Sequence, residues 1–310
     1  MLYPNVVTFD GHAILALESR EHQAAIYQAY NDGVYEFSRH QRDRFVPLAA
    51  VPLWDVEATV AEMTRCAELG FTGVVWAATM DRHGLPSFTD HQWDPVYKRA
   101  QDLELSINFH VGVGSTANDI TSFRDLRDGQ FDYGYWAGTS TQHFLANSNT
   151  VTRLIMSGVC QRFPDLRFVS VESGFGFVPY LLEALDWQWR TVGAPEHYPG
   201  CLLPREYFCR QIFCTFWFEQ GSLSLIRDYA DNVMFETAFP HSTALSPGPT
   251  SSALSPRQIV EEDAQVLDRA WYGESISTNA RELYRIVLWP MSEREGPAGF
   301  DPFRQDEAAH

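Results

Sequence analysis

The chain is poor in basic residues and cysteine and has no long hydrophobic run, and each shortage removes a class of function. Only 23 of its 310 residues are Lys or Arg, against 40 Asp or Glu, so the formal charge is −17. A surface of that sign repels phosphate backbones and anionic headgroups, which argues against nucleic-acid and membrane partners. Nowhere does the sequence reach the run of about 18 apolar residues that a membrane-spanning helix needs. Met1-Leu2-Tyr3-Pro4-Asn5 has neither the basic flank nor the apolar segment of a secretory leader, so a cytoplasmic location is expected. The cysteines, Cys66, Cys160, Cys201, Cys209 and Cys214, are odd in number, irregularly spaced and without a CxxC pair. That pattern points to reduced, inert thiols rather than a disulfide framework or a thiolate zinc site.

What is present is an alternation. Hydrophobic residues at 45% are ordinary for a globular chain, and aromatics at 14% are enough for a large core or an aromatic-lined cleft. Apolar runs of strand length stand at 44–51, 73–77, 106–111, 166–172, 212–217 and 232–237, and stretches of helical period follow at 55–69, 94–103, 150–163, 178–189 and 222–230. In the first of these, Val56, Val60, Met63 and Cys66 share a face and Asp55 caps the start. Strand–helix units in series with continuous apolar strands predict a parallel sheet covered by helices, and so many units favour an α/β barrel over an open sheet. Residues 21–39 read as a further helix. Polar insertions are expected near 114–149 and 191–211, a loop at 242–256, helices near 256–268 and 279–288, and a flexible tail over 291–310. The barrel is read as one domain spanning 1–290.

In a barrel of parallel strands the chemistry sits where strands end and loops begin. The polar residues at those ends are His110, Glu172 and Glu236, with Thr237 and His241 close behind. Two carboxylates at separate strand ends admit a general acid/base pair, and equally a salt-bridged barrel mouth. A strand-end histidine admits a ligand or a hydrogen-bonded structural residue.

Several ordered segments carry a resemblance. Val46-Pro47-Leu48-Ala49-Ala50-Val51-Pro52-Leu53-Trp54-Asp55, His91-Gln92-Trp93-Asp94-Pro95, Ile107-Asn108-Phe109-His110, Glu172-Ser173-Gly174-Phe175-Gly176-Phe177-Val178-Pro179 and Phe235-Glu236-Thr237-Ala238-Phe239-Pro240-His241 follow one another as in the amidohydrolase-related family. This is the branch that includes aminocarboxymuconate semialdehyde decarboxylase and the resorcylate-type decarboxylases. The resemblance implies a TIM-type (β/α)8 barrel and one divalent metal, zinc or manganese, at its mouth. It also implies a metal-dependent hydrolase or decarboxylase acting on a small carboxylic, aromatic or unsaturated, substrate, and a homodimer.

Carried over position by position, His110 falls on the fifth-strand metal ligand. Ala238 stands where the family has an Asp ligand. Glu172 occupies the place of a catalytic His in many of the decarboxylases and is the candidate catalytic acid/base, while Glu236 and His241 are candidate substrate-binding residues. Met1-Leu2-Tyr3-Pro4 looks like the tail of the second strand, so the first strand with its ligand pair, and most of the second, are expected to be missing; His12 is a poor substitute. Two further readings follow from these departures. One is a catalytically degenerate barrel, a pseudoenzyme or truncated gene product that binds a small molecule only. The other is a metal-independent enzyme that uses Glu172 and Glu236.

Overall fold

Six buried runs pair edge to edge into one sheet. β1 (Leu48–Ala49), β2 (Gly73–Trp76), β3 (Ser106–His110), β4 (Phe168–Val171), β5 (Ile212–Phe216) and β6 (Val233–Phe235) are all parallel and lie in sequential order. The computed structural model describes residues 1–3, 12–42, 44–111, 133–239, 254–263 and 273–286. Among these the order is open, with β1 and β6 at its two ends. Beside β1, Leu2 makes a parallel bridge to Pro47 and donates its N–H to the Val46 carbonyl at 3.0 Å. Each parallel step needs a crossover, and helices supply it, so the fold is α/β with the strand order of a barrel.

The crossovers form where local signals agree with burial. Asp55 accepts the Ala58 N–H at 2.9 Å and starts the helix Val56–Glu68, which buries Thr59, Met63 and Cys66 against the sheet. Pro95 sits in the first turn of Asp94–Asp102, where its missing N–H costs nothing. Three expectations need correction. Residues 133–149, expected as polar insertion outside the helix at 150–163, belong to one long helix, Tyr133–Met156. Their Gly, Ser and Thr lower helix propensity, but the buried stripe Asn147, Thr150, Val151 and Leu154 outweighs it. The helix expected across 150–163 breaks at Gly158, which is left-handed at φ +80°, before the short Val159–Arg162. The stretch near 222–230 is a 3₁₀ segment, Leu223–Asn232, interrupted at Tyr229. Residues 112–132 of the first insertion and the tail 291–310 lie outside the described residues.

Side chains alternate along each strand, and the two sets enter different cores. Leu48, Val75, Val169, Val171 and Met234 pack together with Tyr284 in an inner cluster. Their neighbours Ala49, Val74, Trp76, Phe168 and Val233 join the larger cluster under the helices. The inner space is plugged from the C-terminal side: Tyr284, just past the helix Asn279–Leu283, donates its hydroxyl to Asn108 Oδ1 at 2.6 Å. Asn108 in turn donates to the Val74 carbonyl at 3.1 Å and to Ser106 Oγ at 3.0 Å. All five cysteines are free thiols, and burial pushes Cys160 up to about 12, which keeps it unreactive. Among the described residues no helix is long and apolar enough to cross a membrane.

Gly73 makes room for this polar hub. A Cβ there would collide with Ser106 Oγ and stand 2.7 Å from Asn108 Nδ2 and 2.9 Å from Leu48. Gly73→Ala is expected to cost about 1–3 kcal/mol, read as a lowered urea midpoint at unchanged slope. An unchanged midpoint would show that the hub yields freely.

Candidate active site

The residues that face the inner space at the carboxyl ends of β3 to β6 make a compact polar group. His110 closes β3 with the inward parity of Asn108 and is only 6% exposed. Its Nδ1 lies 2.8 Å from the Val111 carbonyl. A carbonyl only accepts, so Nδ1 carries the proton and Nε2 is left facing the cleft. There it meets Glu172 Oε1 at 3.4 Å.

Glu172 reaches that place against the strand's alternation. Val171 points inward, so the next residue of a straight strand would point to the helices. Instead Glu172 is left-handed at φ +52°, a conformation rare for a residue with a Cβ. The turn swings its carboxyl back over the mouth, where the side chain is 16% exposed. The Glu172 N–H donates to Thr215 Oγ1 at 3.0 Å, and that hydroxyl donates to Glu236 Oε1 at 2.7 Å. One threonine of β5 therefore links the ends of β4 and β6. Above them Asn147, 2% exposed, donates to the Phe109 carbonyl at 3.1 Å and to Ser173 Oγ at 2.6 Å, tying both sides of the His110–Glu172 pair to one helix. Below, the Tyr3 ring meets the His110 ring edge-on, with centroids 5.0 Å apart.

Of the residues read from sequence, His110, Glu172 and Glu236 come together. Ala238 lies beyond β6, left-handed at φ +53°, and offers only a methyl group. His241 is outside the described residues. Thr215, Asn147 and Tyr3 were missed as site residues. Thr215 and Tyr3 sit within apolar runs, and nothing in a single sequence marks such a residue as polar glue. The expected divalent metal finds no matching donor set: among the described residues no group of three His, Cys, Asp or Glu could hold one. His110 Nε2 is opposed by Glu172 Oε1 at 3.4 Å, and tight binding needs three or four ligands.

Burial, reinforced by the negative charge of Glu172, pushes the Glu236 carboxyl well above its ordinary 4.5. The folded chain thus holds this proton to higher pH than the unfolded chain. Stability is greatest below the unfolded value, falls as pH rises from about 4.5 through the folded pKa, and then levels off. Glu236→Gln removes that titration. Its urea midpoint is expected to match the parent's in acid and to exceed it by a margin that widens toward neutral and alkaline pH; parallel curves would refute the buried-proton assignment.

Comparison with known proteins places this geometry. The chain is 26% identical over 246 residues to the gamma-resorcylate decarboxylase of Rhodococcus jostii, covering 76% of this chain and 72% of the relative. It is 25% identical over 289 residues to the gamma-resorcylate decarboxylase of a Rhizobium species, covering 91% and 82%. Among solved structures, a dihydroxybenzoic acid decarboxylase from a Polaromonas species, with bound manganese and the inhibitor 2-nitroresorcinol, superposes with a TM-score of 0.65. That match covers 89% of this chain and 80% of the other at 20% identity, so it is a likeness of fold. The Amidohydrolase family model (Amidohydro_2) matches residues 6–286, and with that span of the chain matched, the protein belongs to the amidohydrolase family.

Proposed function

We propose that the protein is a non-oxidative decarboxylase of hydroxylated aromatic carboxylic acids, with His110 and Glu172 as its proton-transfer pair. The observation that carries this reading is the approach of His110 Nε2 to Glu172 Oε1, 3.4 Å, at the ends of adjacent strands in a nearly dry mouth. A proton between the two atoms can be delivered by either, and a low-dielectric site strengthens the transfer.

Loss of carbon dioxide from a hydroxybenzoate needs such a proton. Hydroxyls beside the carboxylate enrich the ring carbon that carries it, and that carbon takes the proton to form a new C–H bond. The carbon–carbon bond then breaks, its electron pair returns to the ring, and carbon dioxide departs. The pair regains its proton from solvent, so no oxidant or reductant enters. Burial favours the protonated form of Glu236, which suits it to donate a hydrogen bond to a substrate oxygen, and His241 is assigned to the same substrate-binding role. An aromatic wall stands at the same mouth. Trp217 follows β5 with the inward parity of Thr215, and Phe144 packs on it and on Phe218 with centroids 5.4 Å apart in each case. Such a surface suits a planar ring. The names of the relatives support an aromatic carboxylate as substrate. His110 and Glu172 are themselves protein groups able to carry this proton.

The test is to incubate the full chain with 2,6-dihydroxybenzoate, in chelator and separately with added manganese, and to follow 1,3-dihydroxybenzene. Turnover is expected in both, and Glu172→Gln is expected to lower kcat about 100-fold or more with a smaller change in KM. No product in either condition, or a fully active Glu172→Gln, would overturn the assignment. Turnover only with manganese would overturn the metal-free part of it.

A further inference from the structure

Glu219 is a half-buried carboxylate that neither the proposed chemistry nor the sequence motifs use, and its contacts are unusual. It lies in the loop after β5. Its Oε1 accepts the N–H of Phe175 and, at 3.3 Å, that of Gly176. Its Oε2 accepts the N–H of Trp217 at 3.1 Å and of Phe218 at 3.2 Å. One side chain thus gathers four backbone donors from two mouth loops, the one that begins with Glu172 and the one that bears the aromatic wall.

The approach is close enough to dictate a neighbour. A Cβ on Gly174 would run into Glu219 Oε1 and stand 3.2 Å from its carboxyl carbon, and Gly174 is itself left-handed at φ +73°. The loop therefore holds two left-handed residues in three positions, Glu172 and Gly174. A left-handed residue with a Cβ is disfavoured and persists only where its surroundings fix it. Three ties do so here: Thr215 on the Glu172 N–H, Asn147 on Ser173, and Glu219 on the Phe175 and Gly176 N–H groups. Only Glu219 is ionisable, and hydrogen bonds to a charged acceptor are roughly twice as strong as neutral ones.

We propose that Glu219 is a positioning residue, a latch whose carboxylate joins the loops after β4 and β5 and so keeps the Glu172 carboxyl turned toward His110. Without it the turn relaxes, and the alternation of the strand carries Glu172 toward the helices. The proposal rests on the reading of His110 and Glu172 as the proton-transfer pair. It adds a group that acts on that pair from a distance and touches neither substrate nor His110.

The test uses the full chain labelled with ¹⁵N-histidine, and compares the His110 ring resonances at one fixed pH with kcat and KM on 2,6-dihydroxybenzoate. Glu172→Gln is expected to move the His110 signal. Glu219→Gln, which leaves Glu172 intact, is expected to move it in the same direction by at least half as much and to lower kcat at least tenfold. In the Glu172→Gln background, Glu219→Gln is expected to add nothing to either readout, which a general loosening of the fold would not reproduce. Glu219→Asp keeps the charge with a shorter reach; it serves if the Gln variant fails to fold, and its signal is expected between those of the parent and Glu172→Gln. The latch is overturned if Glu172→Gln shifts the His110 signal while both Glu219 variants leave it at the parent position. If Glu172→Gln itself changes neither signal nor turnover, the pair assignment falls and takes the latch with it.

Discussion

A strand sends only every second side chain to a given face, and this constraint governs the whole molecule. In a parallel sheet covered by helices both faces are dry, so strand residues are apolar on both sides and the two sets differ only in what they pack against. The outer set meets the helices. The inner set meets itself, and there Ser106, Asn108, His110 and Thr215 place hydrogen-bonding groups in a space with little water. Every inward polar atom then needs a partner from another strand or from beyond the sheet.

Those partners come from far away in sequence. The Asn108 side chain is satisfied by β2 and by Tyr284, 176 positions onward. Thr215 stands between the ends of β4 and β6, and Asn147 binds the ends of β3 and β4 from a helix. The inner space is organised as layers: a hydrogen-bonded plug of Asn108 and Tyr284 below, the Tyr3 and His110 rings above it, and the carboxyls of Glu172 and Glu236 at the top. Rigid strand ends suit a pair of groups proposed to exchange a proton.

Glu172 is the exception to the alternation, and its exception makes the site. Straight continuation of β4 would bury its carboxyl beneath the helices. The left-handed turn at Glu172 brings it instead to His110. Residues held in sparsely populated backbone regions concentrate at functional sites because the strain is tolerated only where surrounding contacts insist on it. Ala238, left-handed at the end of β6, shows the same backbone habit with a side chain that has no chemistry.

By itself the sequence determined the strands, most of the crossover helices around them and the inward run that ends at His110, because continuous apolar runs and helical periods are local properties. It also marked Glu172 and Glu236 as strand-end carboxyls. Its composition misled at 133–149, where glycine, serine and threonine suggest a polar insertion but a buried face holds one long helix. Tertiary structure alone decided that Glu172 faces His110, that Thr215 joins two carboxyl-bearing strands, and that Asn147, Tyr3 and Tyr284 serve the same small volume. The reason is physical: a backbone angle at one residue and hydrogen bonds between residues tens of positions apart have no periodicity, so they exist only once the sheet has brought its strands side by side.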